Sequence, residues 1–398
     1  MGTFAPLGQP AFRMLWLVWL TANLTMWMND VASAWLMTSL TDNAFMIAMV
    51  QSASTLPLFL LGLPSGALAD MVDRRRFLAF TQVWVGGIAI MLAALTFCGA
   101  LTAPLLLACT FLNGIGMAMR WPLFAAIVPG LVRREELAAA LALNGIAGNM
   151  SRIIGPLVAG ALIAGIGSPY VYLLNAALGV VSLALILRWH SGPTIPAASR
   201  ERLGPAMRLG LRYVAQAPQL RLILLRIFLF FLQASALTAL LPLVALRLDG
   251  GGPGAYTTLL AALGVGAVLI AFNLQRLRRC ADDELMVSVG VCLYAAAAAA
   301  AALAPSMWLA ALAVVVVGMA WIVTANTLTV ATQLALPDWV RARGMAIYLM
   351  AVMGGSASGA ALWGYLAAAA SVDAAILAAS VLGPVAFLLT RRGGVVRP

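Results

Sequence analysis

The chain has no lysine, a single histidine and 13 acidic residues in 398. Charged residues make up 9% of it, against about 25% in an ordinary soluble domain. A chain this poor in charge cannot cover a soluble surface, and a disordered chain would be poorer in apolar residues and richer in charge. An ordinary soluble enzyme and a disordered protein are therefore both excluded. The lone histidine, His190, leaves no His-based metal site. Cys98, Cys109, Cys280 and Cys292 show no paired spacing and read as small apolar fillers rather than metal ligands or bridges. Gly114-Ile115-Gly116 lacks the third glycine of a dinucleotide site and lies inside an apolar run. No nucleotide-binding loop, catalytic triad or paired carboxylates can be found, so no cofactor is expected, ATP is not the direct energy source, and enzymatic function is not expected.

What is present is apolar length. Hydrophobic residues are 63% of the chain, and they come in long runs rather than in the apolar–polar alternation of barrel strands. Each membrane-spanning helix takes roughly 20 residues. Twelve segments fit: 13–39, 44–69, 77–99, 103–128, 138–166 and 169–189, then 220–246, 255–275, 285–304, 306–333, 342–369 and 372–390. The ninth contains eight consecutive alanines, Ala295 to Ala302, and so leans on neighbouring helices rather than on lipid. Trp16, Trp19, Trp27 and the pair Asn29-Asp30 make the first segment a poor signal peptide.

All 24 basic residues are arginine, and the formal charge is +11. The arginines cluster between apolar runs, which points to lipid headgroups and not to nucleic acid. With the N-terminus inside, the inner loops hold Arg74 to Arg76, Arg133-Arg134, the stretch from Arg200 to Arg221, Arg276 to Arg279, Arg341, Arg343 and the tail, while the outer loops hold only Arg247. That bias predicts both termini in the cytoplasm of a bacterial inner membrane.

The expected organisation is an all-α integral membrane protein with a six-helix bundle over 1–189 and a cytoplasmic linker over 190–219. A second six-helix bundle follows over 220–390, and then a tail over 391–398. Within the linker, Arg208 and Arg212 share one helical face and Met207, Leu211 and Val214 another, so a short helix on the membrane surface and a plain solvated linker are both open. The halves repeat at an offset of 204 residues: Arg74-Arg75 falls on Arg278-Arg279, Gly114 on Gly318, and Gly155 and Gly160 on Gly359 and Gly364. Paired six-helix halves are the mark of a transporter that opens to one side and then to the other. Gly62 to Gly66 and Gly355 to Gly359 are glycine pairs at helix-packing spacing.

Gly66-Ala67-Leu68-Ala69-Asp70-Met71-Val72-Asp73-Arg74-Arg75-Arg76 resembles the loop 2–3 signature of the major facilitator superfamily, G-x-L-A-D-basic-x-G-R-basic, with Met71 in place of a basic residue and Asp73 in place of glycine. The Asp-Arg-Arg variant is similar to the drug and siderophore efflux branch. So are Val31 to Leu40, Asn144 to Gly160 and Val340 to Met350. The resemblance implies twelve helices in two pseudo-symmetric bundles, a monomer, and a gating latch built from Gly66, Asp70, Asp73, Arg74 and Arg75. The alternative for that loop is a set of solvated topology charges. Asp70 at the negative end of its helix needs a positive neighbour in either case. Gly155-Pro156, with Gly148 and Gly160, resembles the fifth-span signature of proton antiporters, which favours export over uptake.

Ionisable residues inside a span cost at least about 2.5–3.5 kcal/mol each, so each needs a reason. Asp30 is the only acid well inside a span. Asn23, Trp27, Asp30 and Ala34 share its face, as a cavity lining would. There Asp30 either binds and releases a proton as its exposure changes or stays passive near the outer interface. Arg152, near the midplane, either pairs with Asp30, binds an anion or ties two helices together. Arg120 shares a face with Asn113 and Gly116 and either lines the cavity or snorkels, and Arg226 is expected to snorkel. In the superfamily the first, fourth, seventh and tenth spans line the cavity. The resemblance therefore makes Asn23, Trp27, Asn113, Arg120, Gln233, Trp321 and Asn326 candidate substrate contacts.

These features lead to one expectation: a secondary transporter that exports a small amphipathic compound in exchange for protons. Uptake of a small anion and a non-transporting scaffold or sensor are the alternatives.

Overall fold

The computed structural model describes residues 4–71, 73–189, 212–337 and 340–390, apart from the side chains at 63, 66–71, 121, 122, 125, 126 and 342. Among these it contains twelve long helices: α1 (Pro10–Leu40), α2 (Ala44–Met71), α3 (Arg74–Phe97), α4 (Ala103–Ile127), α5 (Leu137–Gly165), α6 (Ser168–Arg188), α7 (Pro218–Arg247), α8 (Pro253–Cys280), α9 (Asp283–Leu303), α10 (Met307–Ala335), α11 (Arg341–Ala369) and α12 (Val372–Thr390). Eleven are long and apolar enough to cross a membrane. The other is α1, whose hydropathy is diluted by Asn23, Asn29 and Asp30. The expected surface helix of the linker lies mostly outside the described residues, and only 212–216 is seen to be helical.

Local chemistry sets the helix ends. Asp73 caps α3 by accepting from the Arg76 backbone N–H at 2.8 Å, and Asp282 caps α9 by accepting from Leu285 at 3.1 Å. Proline opens α4, α6, α7 and α8 at positions whose N–H has no helical partner. Gly167, at φ 107°, makes the turn into α6 that a side chain would resist. At the end of α8 hydropathy misleads: the helix runs on to Cys280, past the expected 275, because the polar stretch Asn273 to Arg279 still forms helix after the apolar run has ended.

The chain divides into two compact units, one of residues 1–36 and 60–202 and the other of 37–59 and 203–398, with the boundaries falling inside α1 and α2. In the first unit α3 packs on α6 and α4, around Leu15, Val18, Leu78, Leu123 and Ile186. A polar seam joins α1 to α6, with Thr21 to Ser182 at 2.7 Å and Ser33 to Tyr172 at 3.1 Å. Trp16 and Trp19 donate their indole N–H groups to the Leu143 and Asn144 carbonyls of α5. Pro122 deprives the Ala118 carbonyl of its helical donor, and Ser65 of α2 takes it at 2.8 Å. Ser65→Ala should remove that donor and lower stability by about 1 kcal/mol. Thermal unfolding in detergent checks this, and an unchanged midpoint would mean that water replaces the hydroxyl.

In the second unit α7 is the inner helix, buried over most of its apolar length, whereas α12 is largely exposed. The alanine-rich α9 is mostly buried although its hydropathy matches that of the other spans, because small side chains let neighbouring helices pack closely on it. Gly355 and Gly359 let α11 approach α7 closely. A Cβ on Gly355 would lie 2.5 Å from the Phe228 carbonyl oxygen, and one on Gly359 would lie 2.4 Å from that of Leu232. In the first unit Gly155 lets α5 approach α1, where a Cβ would meet the Trp27 Cβ at 2.7 Å and the Leu24 carbonyl oxygen at 3.3 Å. Leu24 and Trp27 stand at the sequence offset of 204 from Phe228 and Phe231, which a Cβ on Gly355 would meet, so the packing counterpart of Gly155 is Gly355, one turn before the Gly359 that the offset itself selects.

One expectation is corrected. Arg226 does not snorkel. Its side chain is 0% exposed and pairs with Glu284 of α9 at 2.7 Å. It also donates to the Thr390 hydroxyl at 3.1 Å and the Thr390 carbonyl at 2.9 Å, and it stacks over Phe387 at 4.8 Å. The guanidinium is taken up by Glu284 at the start of α9 and Thr390 at the end of α12 instead of reaching out to lipid headgroups.

Candidate functional site

In the first unit the candidate residues gather on α1, α4 and α5. Close packing at Gly155 brings α5 against α1, so the Arg152 guanidinium lies over the Trp27 ring, 5.5 Å from its centroid. The aromatic face supplies electron density to the cation. Asp30 stands almost one turn further along α1, half-buried. Among the described residues no hydrogen bond or ion pair reaches it, and in particular none joins it to Arg152. Asn23 is buried with its amide turned back to the Trp19 carbonyl at 2.8 Å. Gly155 and the buried Pro156 sit in mid-α5, where the proline removes one backbone donor.

Arg120 is 2% exposed. It donates to Gln82 of α3 at 3.2 Å, to the Ala22 carbonyl of α1 at 3.2 Å and to Met117 Sδ at 2.7 Å. All three acceptors are neutral, and among the described residues no acid pairs with the guanidinium. Asn113, two turns away on the same face of α4, is also buried.

In the second unit the candidates are scattered. Gln233 is 2% exposed and turned to α12, against Gly383. Trp321 is half-buried, edge-on to Phe231 at 6.1 Å. Asn326 is exposed and accepts from Arg278 of α8 at 2.8 Å. Of the latch residues, Asp73 is the α3 cap and Arg75 donates to the last carbonyls of α6, at Ile186 and Leu187. Arg74 opens α3. The side chains of Gly66 and Asp70 lie outside the described residues.

Sequence reasoning missed the Arg226–Glu284 pair and the buried amides Asn29 and Asn175, each with one side-chain atom that meets no partner. No spacing signalled the pair: Arg226 is a lone arginine in an apolar run, and Glu284 lies in the first turn of α9, 58 residues away.

A dozen helices in two repeated halves, with a few charges held inside otherwise apolar packing, define a membrane transporter of the major facilitator type. Solved structures share the fold. The nucleoside transporter NupG aligns with a TM-score of 0.76 at 14% identity, over 96% of this chain and 99% of that one. A bacterial homologue of the human lysosomal transporter Spinster, in an inward-facing unoccupied conformation, aligns at 0.70 and 17% identity, over 95% and 94%. The family model described as "Transmembrane secretion effector" matches residues 1–394, and the chain belongs to that family. The chain is 27% identical over 372 residues to the enterobactin exporter EntS of Shigella boydii serotype 18 (strain CDC 3083-94 / BS512), covering 90% of this chain and 86% of that one. It is 24% identical over 251 residues to the staphyloferrin A transporter of Staphylococcus aureus (strain NCTC 8325 / PS 47). That match spans 63% of each chain, so it covers less than two thirds of the relative's length. The protein is a multi-pass membrane transporter and not an enzyme.

Proposed function

We propose that the chain exports a small amphipathic compound of the siderophore or drug type in exchange for protons, by alternating access across a bacterial inner membrane with both termini in the cytoplasm. The observation that carries this reading is Asp30: a lone acid inside a span, next to the Trp27–Arg152 pair and bonded to nothing described. An acid without a fixed cation is free to exchange a proton whenever its surroundings change. The two relatives that handle siderophores support the cargo class. Trp27, Asn113, Arg120, Trp321 and Asn326 are the proposed contacts. The loop from Gly66 to Arg75 and the Gly155–Pro156 break are the proposed gate.

The test is efflux from proteoliposomes under an imposed pH gradient, with enterobactin and staphyloferrin A as probes. Asp30→Asn keeps the shape of the side chain but cannot carry the proton. It is expected to lower gradient-driven efflux at least about tenfold, which is about 1.4 kcal/mol in the barrier, while downhill movement persists. Equal gradient-driven rates for variant and wild type would remove Asp30 from the coupling role.

Uptake of a small anion is a second reading, favoured by Arg120. Its acceptors Gln82, Ala22 and Met117 are neutral, so the guanidinium can take the negative charge of an anion while Asp30 takes a proton. Proton and anion would then bind together and move the same way. Accumulation inside right-side-out vesicles, rather than efflux, separates the two readings.

A further inference from the structure

The seam between α7 and α12 is fixed at both ends and interrupted in the middle. At one end Arg226 grips Thr390 through its hydroxyl and carbonyl. At the other end Arg247 pairs with Asp373. Arg226 and Gln233 are two turns apart on α7, and Gly383 and Thr390 are two turns apart on α12, so antiparallel packing sets Gln233 level with Gly383. The contact there is close: a Cβ on Gly383 would lie 2.1 Å from Gln233 Oε1 and 2.2 Å from its Cδ. The next residue is Pro384, inside the helix. It has no N–H to give the Ser380 carbonyl, and its ring weakens the helix at that point. Gln233 is 2% exposed, yet neither its Oε1 nor its Nε2 has a hydrogen-bond partner.

Two unmet needs therefore lie side by side: a buried amide donor on α7 and, one turn from the contact, a carbonyl on α12 that lost its donor to proline. The same chain already solves this problem once. In α4 the carbonyl released by Pro122 is taken by a side chain of the neighbouring helix, Ser65, at 2.8 Å. In α12 the equivalent donor is present but not engaged.

We propose that α12 has two bends about Gly383–Pro384, and that Gln233 is the positioning residue that holds one of them by donating its Nε2 to the Ser380 carbonyl. The conformation described here is the other bend. Arg226 and Arg247 keep the ends of α12 docked on α7 while its middle moves. Gly383 is required because any side chain there would displace the Gln233 amide. The role belongs to the helix and not to the cargo, so it does not depend on which compound is moved or in which direction.

Spin labels at Leu246 near the end of α7 and at Val381 in the middle of α12, both exposed, place the moving part of α12 against a fixed reference. The distance distribution between them reports the bend without any substrate. The protein for this is the full chain with its four cysteines replaced by alanine, in lipid nanodiscs. Two distances are expected in the parent. Pro384→Ala, which restores the N–H to the Ser380 carbonyl, should collapse them to one. Gln233→Leu should deplete one of the two at least about threefold without lowering the thermal midpoint. That midpoint is the control for folding, and a merely structural Gln233 would not shift the populations. A single distance in the parent would overturn the proposal. So would two distances that neither variant alters. Failure here would leave the proton-export reading intact, and failure of gradient-driven efflux would leave the hinge intact.

Discussion

Arg226→Ala is expected to destabilise the protein by about 3–5 kcal/mol, the usual result of stripping one partner from a buried ion pair. The side chain is 0% exposed and Glu284 is 20% exposed, so the remaining carboxylate has little water to fall back on. The Glu284 Oε1 atom already has no hydrogen-bond partner, which leaves the arginine as the main support of that charge. The substitution also removes two donors from Thr390 and the cation over Phe387, so α7, α9 and α12 lose their shared tie. Thermal and denaturant unfolding in detergent micelles measure the loss. Arg226→Met combined with Glu284→Gln separates the causes: with both charges gone, most of the loss should be recovered, because a neutral isosteric pair often matches the ion pair it replaces. A single variant within about 1 kcal/mol of the parent would mean that water reaches the cluster and that the tie is weak.

The architecture was legible because a bilayer forces every span to be long, apolar and helical. All twelve segments recur as helices, displaced by a few residues at their ends, and α9 leans on its neighbours through Ala295, Ala297, Ala298, Ala301 and Ala302 although it is as hydropathic as the other spans. The repeat was legible from glycines only to within a turn: the contact of Gly155 with α1 is matched on α7 by Gly355, whereas the offset of 204 pairs Gly155 with Gly359. Which partner a buried charge chooses was not legible. Arg226 and Arg120 look alike in the sequence, each a lone arginine in an apolar run. One finds an acid 58 residues away in the chain and the other finds only neutral acceptors. That choice depends on which helices are neighbours and on their rotation, neither of which hydropathy encodes. The direction of a polar side chain was hidden in the same way. Gln233 lies on a cavity-lining helix by family resemblance, yet its amide faces α12, because the face of an inner helix is set by packing on all sides. Asn326 was a fair candidate, but nothing in its spacing gave away that Arg278 holds it.

Gly318→Ala and Gly266→Ala are expected to be the most damaging of the glycine substitutions. The two residues face each other's backbones across α8 and α10. A Cβ on Gly266 would lie 1.9 Å from the Val315 carbonyl oxygen, and one on Gly318 would lie 2.1 Å from that of Leu263. Backbone atoms cannot rotate away as a side chain does, so the helices must separate, at the upper end of or beyond the ~1–3 kcal/mol of ordinary overpacking. In water a displaced helix still gains by burying apolar surface. In lipid that gain is absent, and packing and hydrogen bonds are nearly all that hold the helices together. Gly155→Ala meets the Trp27 Cβ at 2.7 Å and the Leu24 carbonyl oxygen at 3.3 Å, both looser than the carbonyl contacts at Gly266 and Gly318, and should be milder. Gly62→Ala and Gly87→Ala meet nothing within 4 Å and should be neutral, or stabilising by roughly 0.5–1 kcal/mol through helix preference alone. The order of midpoints, lowest at Gly266 and Gly318 and highest at Gly62 and Gly87, is the measurable outcome. If Gly318→Ala unfolds no earlier than Gly155→Ala, α8 and α10 are not locked backbone to backbone. The proposed contacts Trp321 and Asn326 on α10 would then have to be held in place by something other than that packing.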